Sequence, residues 1–407
     1  MTTVSRPVAI GATAGIGVAA IVVPLTTVVS HSFARSTYPI LLPAMKDDIL
    51  SSNTIAGIGG TIIYIAYLSG VVAVTLLSAR LEPIEIMRTG LNVAAAGLLL
   101  TAIAPNTPLL MAGLLFSSAG GAGIWITAPV LATAQVPPHR RGLVIGLLTG
   151  SVGLGTSLVA LGTRLARGVA DNDGLWRPVF GVEAAVTLAI LAIVAIKVRP
   201  GSTSRIGGGG INFQALRQLP GWAPVTLAYV CFGVVASGYA SFLAEALETD
   251  VGVSRSTVSL IYVVMGISSL IGAPLMGSIS DRFGRRTSMV GVLAALGVGS
   301  MVIALGSKPI VIAGVMLFGG MWSSYPTLTA TYVRDHVDDR AFGSVYGTMT
   351  IFYGCASILP PLITGLIADA LDSFTIPYLL VAGFSGAAAL IALRIPDTNR
   401  SAPEPVG

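Results

Sequence analysis

Charged residues in this chain fall in tight clusters, and long apolar stretches run between them. Stretches with no Asp, Glu, Lys or Arg cover 7–34, 49–79, 89–139, 142–163, 184–196, 218–244, 256–280, 287–307, 309–333, 341–368 and 373–393. A helix needs roughly 20 apolar residues to cross the hydrocarbon core of a bilayer. The stretch 89–139 is about twice that length, and Ala104, Pro105, Asn106, Thr107 and Pro108 form a turn signal that divides it into two helices. The stretch 184–196 is short, and extending it back through Glu183 to Arg177 completes a span. The pattern predicts an all-α membrane protein with twelve transmembrane helices, the first placed near 16–43. The runs are too long and too uniform for the ten-residue alternation of a membrane β-barrel.

Composition agrees with this reading. Mean hydropathy is +0.84. Hydrophobic residues make up 54% of the chain and charged residues 10%, against about 25% charged in a soluble domain. Glycine, frequent in membrane helices, occurs 49 times. Cys231 and Cys355 fall inside apolar runs and are expected to be buried thiols. His31, His139 and His336 are scattered, and no HExxH or CxxC spacing occurs. No metal and no cofactor are therefore expected. The net charge of +5 is spread over loops, which gives no reason to expect a nucleic-acid partner. Arg6 and the apolar run after it imitate a signal peptide, but the further apolar segments mark that run as a retained span.

Sixteen of the 23 Lys and Arg residues fall in tails and loops on the side of the termini; six fall on the other side, and Arg35 lies within the first span. Positive charge favours the cytoplasmic side. Both termini are thus expected in the cytoplasm, with the protein multi-pass in an inner or plasma membrane. The longest charged connection, 197–220, carries Arg199, Arg205, Gly207 to Gly210 and Arg217. It divides the chain into a six-helix bundle over 1–196 and a second over 221–407. The halves repeat at an offset of roughly 200 residues, as repeated transporter halves do. Thr37 to Leu42 align with Gly238 to Leu243, Ala112 and Gly113 with Ala313 and Gly314, and Gly146 and Gly153 with Gly347 and Gly354. Pro129 has its counterpart in Pro326 after a gap of about one turn. Two such bundles enclose a midplane site and rock to expose it to one side at a time.

Between the eighth and ninth helices the chain reads Gly277, Ser278, Ile279, Ser280, Asp281, Arg282, Phe283, Gly284, Arg285, Arg286. This resembles the G-x-L-x-D-R-x-G-R-R/K loop of the major facilitator superfamily. The resemblance implies two pseudo-symmetric six-helix bundles, the major facilitator fold. It also implies that Gly277, Asp281, Arg282, Gly284, Arg285 and Arg286 form a cytoplasmic conformational latch, with Gly277 permitting close helix approach. The equivalent first-half loop, Thr75 to Pro83, keeps only Arg80 and has Ala79 at the Asp position. The fourth helix lacks the family's Arg near its start, where Pro108 to Gly113 stand, and the fifth lacks the Gly-Pro pair of drug antiporters. Phe33 to Tyr38, followed by Leu41, Leu42 and Pro43, are similar to the first helix of the YbfB-type bacterial branch.

Arg35 is the most informative residue. A charge at bilayer depth costs several kcal/mol unless it faces a cavity or a partner. It can bind an anionic substrate group through its guanidinium fork, pair with Glu183, or snorkel outward. Tyr38, at i+3, can add a hydroxyl on the same face. In the family the pathway is lined by helices one, four, seven and ten. On these lie Trp125, Thr127, Tyr239, Trp322, Ser323, Ser324 and Tyr325; Trp125, Tyr239, Trp322 and Tyr325 join Arg35 and Tyr38 as substrate-binding candidates. Tyr64, Tyr67 and Tyr353 are further entrants. Glu183 is the candidate proton-coupling residue. Glu245 and Glu248, at an outer helix end, are expected to be solvated. The function expected is secondary active transport of a small organic solute, an organic anion, linked to a proton and working as a symporter or antiporter. The alternative is efflux of drugs or lipophilic metabolites. An enzyme is not expected, since the three histidines are scattered and no intramembrane acidic cluster occurs, and the lack of a GxxxxGK[ST] loop leaves no sign of an ATP motor. The partners expected are the substrate, the proton and the lipid bilayer, with the chain a monomer.

Overall fold

The computed structural model describes residues 18–78, 80–134, 136–137, 141–169, 173–198, 212–306 and 308–396. Arg6, Ala79, His139, Arg140, Arg199, Arg205, Gly207 to Gly210 and Arg400 lie outside the described residues.

Among the described residues, twelve helices are long and apolar enough to cross a membrane. They are α1 (Val18–Asp48), α2 (Asn53–Leu77), α3 (Pro83–Ala102), α4 (Thr107–Thr133), α5 (Val144–Gly168), α6 (Trp176–Lys197), α7 (Trp222–Ser241), α8 (Arg255–Phe283), α9 (Arg285–Leu305), α10 (Lys308–His336), α11 (Ala341–Leu371) and α12 (Thr375–Ala392). Polar side chains cap the starts of four of them. Ser52, Asn106 and Ser254 each accept a backbone N–H of the first turn of α2, α4 and α8. Glu82 and Glu85 close a capping box on α3. Such caps satisfy N–H groups that a helix start leaves unpaired. The double-length run breaks between Ala102 and Thr107, at the Pro-Asn-Thr-Pro turn. Gly284, at φ 88°, is the single residue between α8 and α9.

The spans form two six-helix bundles, α1–α6 and α7–α12. Two features differ from the sequence expectation. The first span runs to Asp48 rather than ending near residue 43, and its middle, Val28–Ser36, is a π-helix. Pro39 has no N–H to donate to the carbonyl four residues back, that of Arg35, and its ring crowds that carbonyl. The wider turn is satisfied locally: the Thr37 N–H and hydroxyl both donate to the Ser32 carbonyl, and the Ser36 hydroxyl donates to that of His31. Second, Cys355 is exposed on α11 and Cys231 is only half-buried, so the expectation of two buried thiols is corrected.

The bundles meet at the end away from the 198–212 connection, here the far end. There the Thr61 hydroxyl of α2 donates to the Ile358 carbonyl of α11 at 2.8 Å, and the Ser157 hydroxyl of α5 donates to Val263 of α8 at 2.9 Å. The α5–α8 crossing needs glycine on both sides. A Cβ on Gly153 would sit 2.6 Å from the Gly266 carbonyl, and one on Gly266 would sit 2.5 Å from that of Gly153. Toward the connection end the glycines of these helices have open space beside them. A Cβ added at Gly146, Gly277 or Gly347 would meet no atom within 4 Å. Gly277 therefore makes no close helix approach in this conformation, contrary to the reading of its motif. Among the described residues, the polar contacts between the bundles named here gather toward the far end, where the structure is closed.

Candidate functional site

The π-segment of α1 places Arg35 against α2. Its guanidinium lies 5.0 Å from the ring centroid of Tyr64 and 4.7 Å from that of Tyr67. Among the described residues no carboxylate lies within ion-pair distance of it. The Tyr faces are electron-rich and soften the cost of the charge, but they do not neutralise it. One helical turn earlier, His31 packs on Trp125 of α4, ring centroids 4.1 Å apart, and meets Tyr67 edge-on at 6.3 Å. From the second bundle, Tyr353 of α11 lies within electrostatic reach of Arg35, Tyr64 and Tyr67. Tyr353 is itself the end of a ring stack, 4.9 Å and 19° from Tyr229 of α7, which in turn stacks on Tyr346.

Of the six candidate substrate-binding residues, the structure brings Arg35 and Trp125 into this cluster. Tyr38 turns toward α2, where its hydroxyl donates to the Ala56 carbonyl at 2.7 Å and its ring is buried. The i+3 relation to Arg35 fails because Arg35 lies in the π-segment and Tyr38 in the α-helix that follows. Tyr239 is buried against Phe318, and Tyr325 is buried behind the stack on Phe232. Trp322 stands half-buried at a break in α10, where one helix ends at Trp322 and the next begins at Ser324. Tyr64 and Tyr67, minor entrants from the sequence, are first neighbours of Arg35, Tyr353 lies within electrostatic reach of it, and His31, Tyr229 and Tyr346 were not anticipated. The Tyr64 and Tyr67 spacing marks one face of α2, but nothing local in the sequence says that this face meets Arg35.

Glu183 of α6 lies on another side of the same π-segment. It is 4% exposed and accepts from the Thr37 hydroxyl at 2.6 Å through Oε1, while Oε2 has no partner. It makes no ion pair with Arg35. The latch residues sit at the connection end within the second bundle: Arg285 pairs with Asp281 at 2.7 Å and with Asp335 at the end of α10 at 2.9 Å. Asp281, Arg282 and Phe283 are exposed, and Gly284 and Arg286 are partly buried.

The far end carries a second polar cluster, on the short helix Leu243–Thr249 that follows α7. Lys46 pairs with Glu245, and Arg255 pairs with Asp47 and with Glu248. The first two pairs cross from one bundle to the other. The Asp369 carboxylate of α11 also crosses, accepting the N–H groups of Asn53 and Thr54 at 2.9 and 2.7 Å, where the helix dipole favours a negative charge. Glu245 is 2% exposed, so these acids are not the solvated pair that the sequence suggests. Burial, with Glu245 alongside, pushes the Glu248 carboxyl up to about 7, against the lowering pull of Arg255 and Arg167.

A family profile described as Major Facilitator Superfamily matches residues 8–222 and 225–407. The hexuronate transporter of Bacillus subtilis (strain 168) is 28% identical over 180 residues, 41% of this chain and 42% of that protein. Multidrug resistance protein MdtG of Yersinia enterocolitica is 27% identical over 175 residues, 41% of each chain. The matched stretches thus span under half the length of these relatives. A crystal structure of the nucleoside transporter NupG superposes with a TM-score of 0.72 at 12% identity, covering 92% of this chain and 98% of that one. At that identity the likeness speaks for the fold alone.

Proposed function

Because the chain belongs to the Major Facilitator Superfamily, a family of membrane transporters, we propose that it carries a small organic anion across the cytoplasmic membrane by alternating access, with Arg35 holding the anionic group. The single observation that carries the reading is the Arg35 guanidinium, set in a span between two tyrosine faces with no carboxylate beside it. A charge held there at a cost of several kcal/mol is retained for a ligand, and a guanidinium grips a carboxylate or phosphate with two parallel hydrogen bonds. Glu183, buried with one free oxygen, is the proton carrier in this reading. The two bundles, over 1–196 and 221–407, rock about the site as a monomer, with the 197–220 connection and both termini in the cytoplasm. The Lys and Arg bias supports that orientation. On this assignment the closed far end faces outward.

A second reading, efflux of lipophilic compounds, is favoured by the multidrug relative and by the ring stack at Tyr229. A thermal-shift screen of purified protein separates the two, since a ligand that binds the folded state raises its melting temperature. Stabilisation by organic anions that Arg35→Ala abolishes is the expected result. Stabilisation by neutral or cationic lipophiles, unchanged in Arg35→Ala, overturns the anion reading and returns Arg35 to a structural role.

A further inference from the structure

The ring stack of the second bundle ends beside Arg35. Tyr346, Tyr229 and Tyr353 lie in nearly parallel planes, with successive tilts of 25° and 19° and centroid separations of 6.2 and 4.9 Å. Tyr229 is buried in the middle of the series. Tyr353 is only partly buried, and its hydroxyl lies within electrostatic reach of Arg35, Tyr64 and Tyr67. Phe232 flanks the series, 5.8 Å and 23° from Tyr353, and the Tyr353 ring stands on the opposite bundle within electrostatic reach of the Arg35 guanidinium. A ligand that places a carboxylate on Arg35 and a planar ring on Tyr353 would continue the stack and tie the two bundles together.

We infer that the anion taken at Arg35 is a planar aromatic carboxylate, its ring stacked on Tyr353; this inference rests on the anion reading above. The polar inventory of the pathway agrees. Sugar acids carry a ring of hydroxyls that need convergent donors and acceptors, for which proteins commonly use Asn and Gln. Spans α1, α2, α4, α7, α10 and α11 contain no Asn or Gln except Asn53, at the far-end mouth of α2. What faces Arg35 is ring surface with tyrosine hydroxyls at its edges. Stacked or edge-on aromatic pairs gain energy beyond the area they bury, so the site distinguishes a flat ring from a puckered one of the same size.

Equilibrium binding to the full chain in detergent or nanodiscs tests this with matched probes: benzoate against cyclohexanecarboxylate, 2-naphthoate against its decahydro counterpart, and benzamide as the uncharged ring. The expected result is a roughly three- to tenfold preference for each aromatic acid over its saturated partner. Tyr353→Leu should bring that ratio near one while leaving the saturated acids as they were, and Tyr353→Phe should keep it. Arg35→Ala should abolish binding of both acids in each pair. Equal binding of flat and puckered acids in the parent protein, or an aromatic preference that survives Tyr353→Leu, overturns the aromatic assignment and leaves the anion reading standing. Benzamide binding as tightly as benzoate, acid binding indifferent to Arg35→Ala, or no acid binding at all overturns the anion reading itself and this inference with it.

Discussion

The α5–α8 crossing offers a clean perturbation of the conformational equilibrium. In Gly153→Ala the new methyl group would lie 2.6 Å from the Gly266 carbonyl oxygen, where an ordinary contact begins at 3.4 Å. The helices must part by about 0.8 Å to restore that distance, and the neighbour is backbone, which cannot rotate away. Overpacking of this kind costs about 1–3 kcal/mol. The clash exists only while the far end is closed, so the whole cost falls on one state. A bias of that size moves a two-state equilibrium about 5- to 150-fold. Gly277→Ala is the matched control, since a Cβ there meets no atom within 4 Å in this conformation. Spin labels at Ser51 and Leu371, both exposed at the far end and on opposite bundles, report the opening as a distance distribution in a background with Cys231 and Cys355 replaced. Gly153→Ala should enrich the long-distance population, and Gly277→Ala should leave the far end closed or tighten it. An unchanged distribution in Gly153→Ala, or an equal opening in Gly277→Ala, would refute the argument that these glycines set the closed state.

Three other outcomes follow from the polar contacts. The Glu248 carboxyl is pushed up to about 7 in the closed far end, whereas a solvated Glu titrates near 4.3. The closed form therefore binds the proton more tightly, closure is favoured when Glu248 is protonated, and that advantage is lost as pH rises through about 7. The same label pair should show opening between pH 5 and 8, and Glu248→Gln should stay closed with no such slope. Lys46→Ala leaves the buried Glu245 carboxylate without its cation; breaking a buried pair from one side costs about 3–5 kcal/mol, with the low end apt for a partly exposed lysine. The far end should open in Lys46→Ala and close again in a Lys46→Met, Glu245→Leu double variant, measured by the same distances. Glu183→Gln keeps a hydrogen-bond acceptor for Thr37 and should leave the melting temperature near that of the parent. In proteoliposomes, uptake of a stabilising anion should lose its response to an imposed pH gradient, and a retained response would remove Glu183 from proton coupling.

The spans were legible because each depends on local features. Charge-free length, the Pro-Asn-Thr-Pro turn at 105–108 and the caps at Ser52 and Asn106 each act within a few residues, and the structure's helices start and stop at them. The site was less legible because it is built across the chain. Arg35 was visible as an unexplained charge in an apolar run, but its partners Tyr64, Tyr67 and Tyr353 lie on two other spans. Tyr38 was favoured over them by helical spacing, and spacing misled because the turn it crosses is not a uniform α-turn. Glu245 reads as a solvated acid at a helix end until Lys46 is placed against it, from 199 residues away. Local rules identify which residues are costly to bury. Only tertiary structure says which of them are paired.

The π-segment of α1 joins the two proposed binding events mechanically. Arg35 stands at its C-terminal end, and Thr37, the next residue but one, holds Glu183. Short π-segments within α-helices recur at functional sites, and here Pro39 removes the donor that would otherwise restore α-helical pairing to the Arg35 carbonyl. The Thr37 hydroxyl contacts both sides of the break, donating to the Ser32 carbonyl at 3.1 Å and to Glu183 at 2.6 Å. A single hydroxyl proton cannot serve two acceptors fully. An ionised Glu183 draws it away from Ser32, whereas a protonated one releases it back to the helix. On the proposed roles, proton occupancy at Glu183 would select how the turn below Arg35 is hydrogen-bonded, and an anion on Arg35 would bias the same turn. Thr37→Val tests the connection without touching either charge. It should leave anion binding intact and cut the pH dependence of that binding, whereas an undiminished pH dependence would place the coupling elsewhere than this hydroxyl.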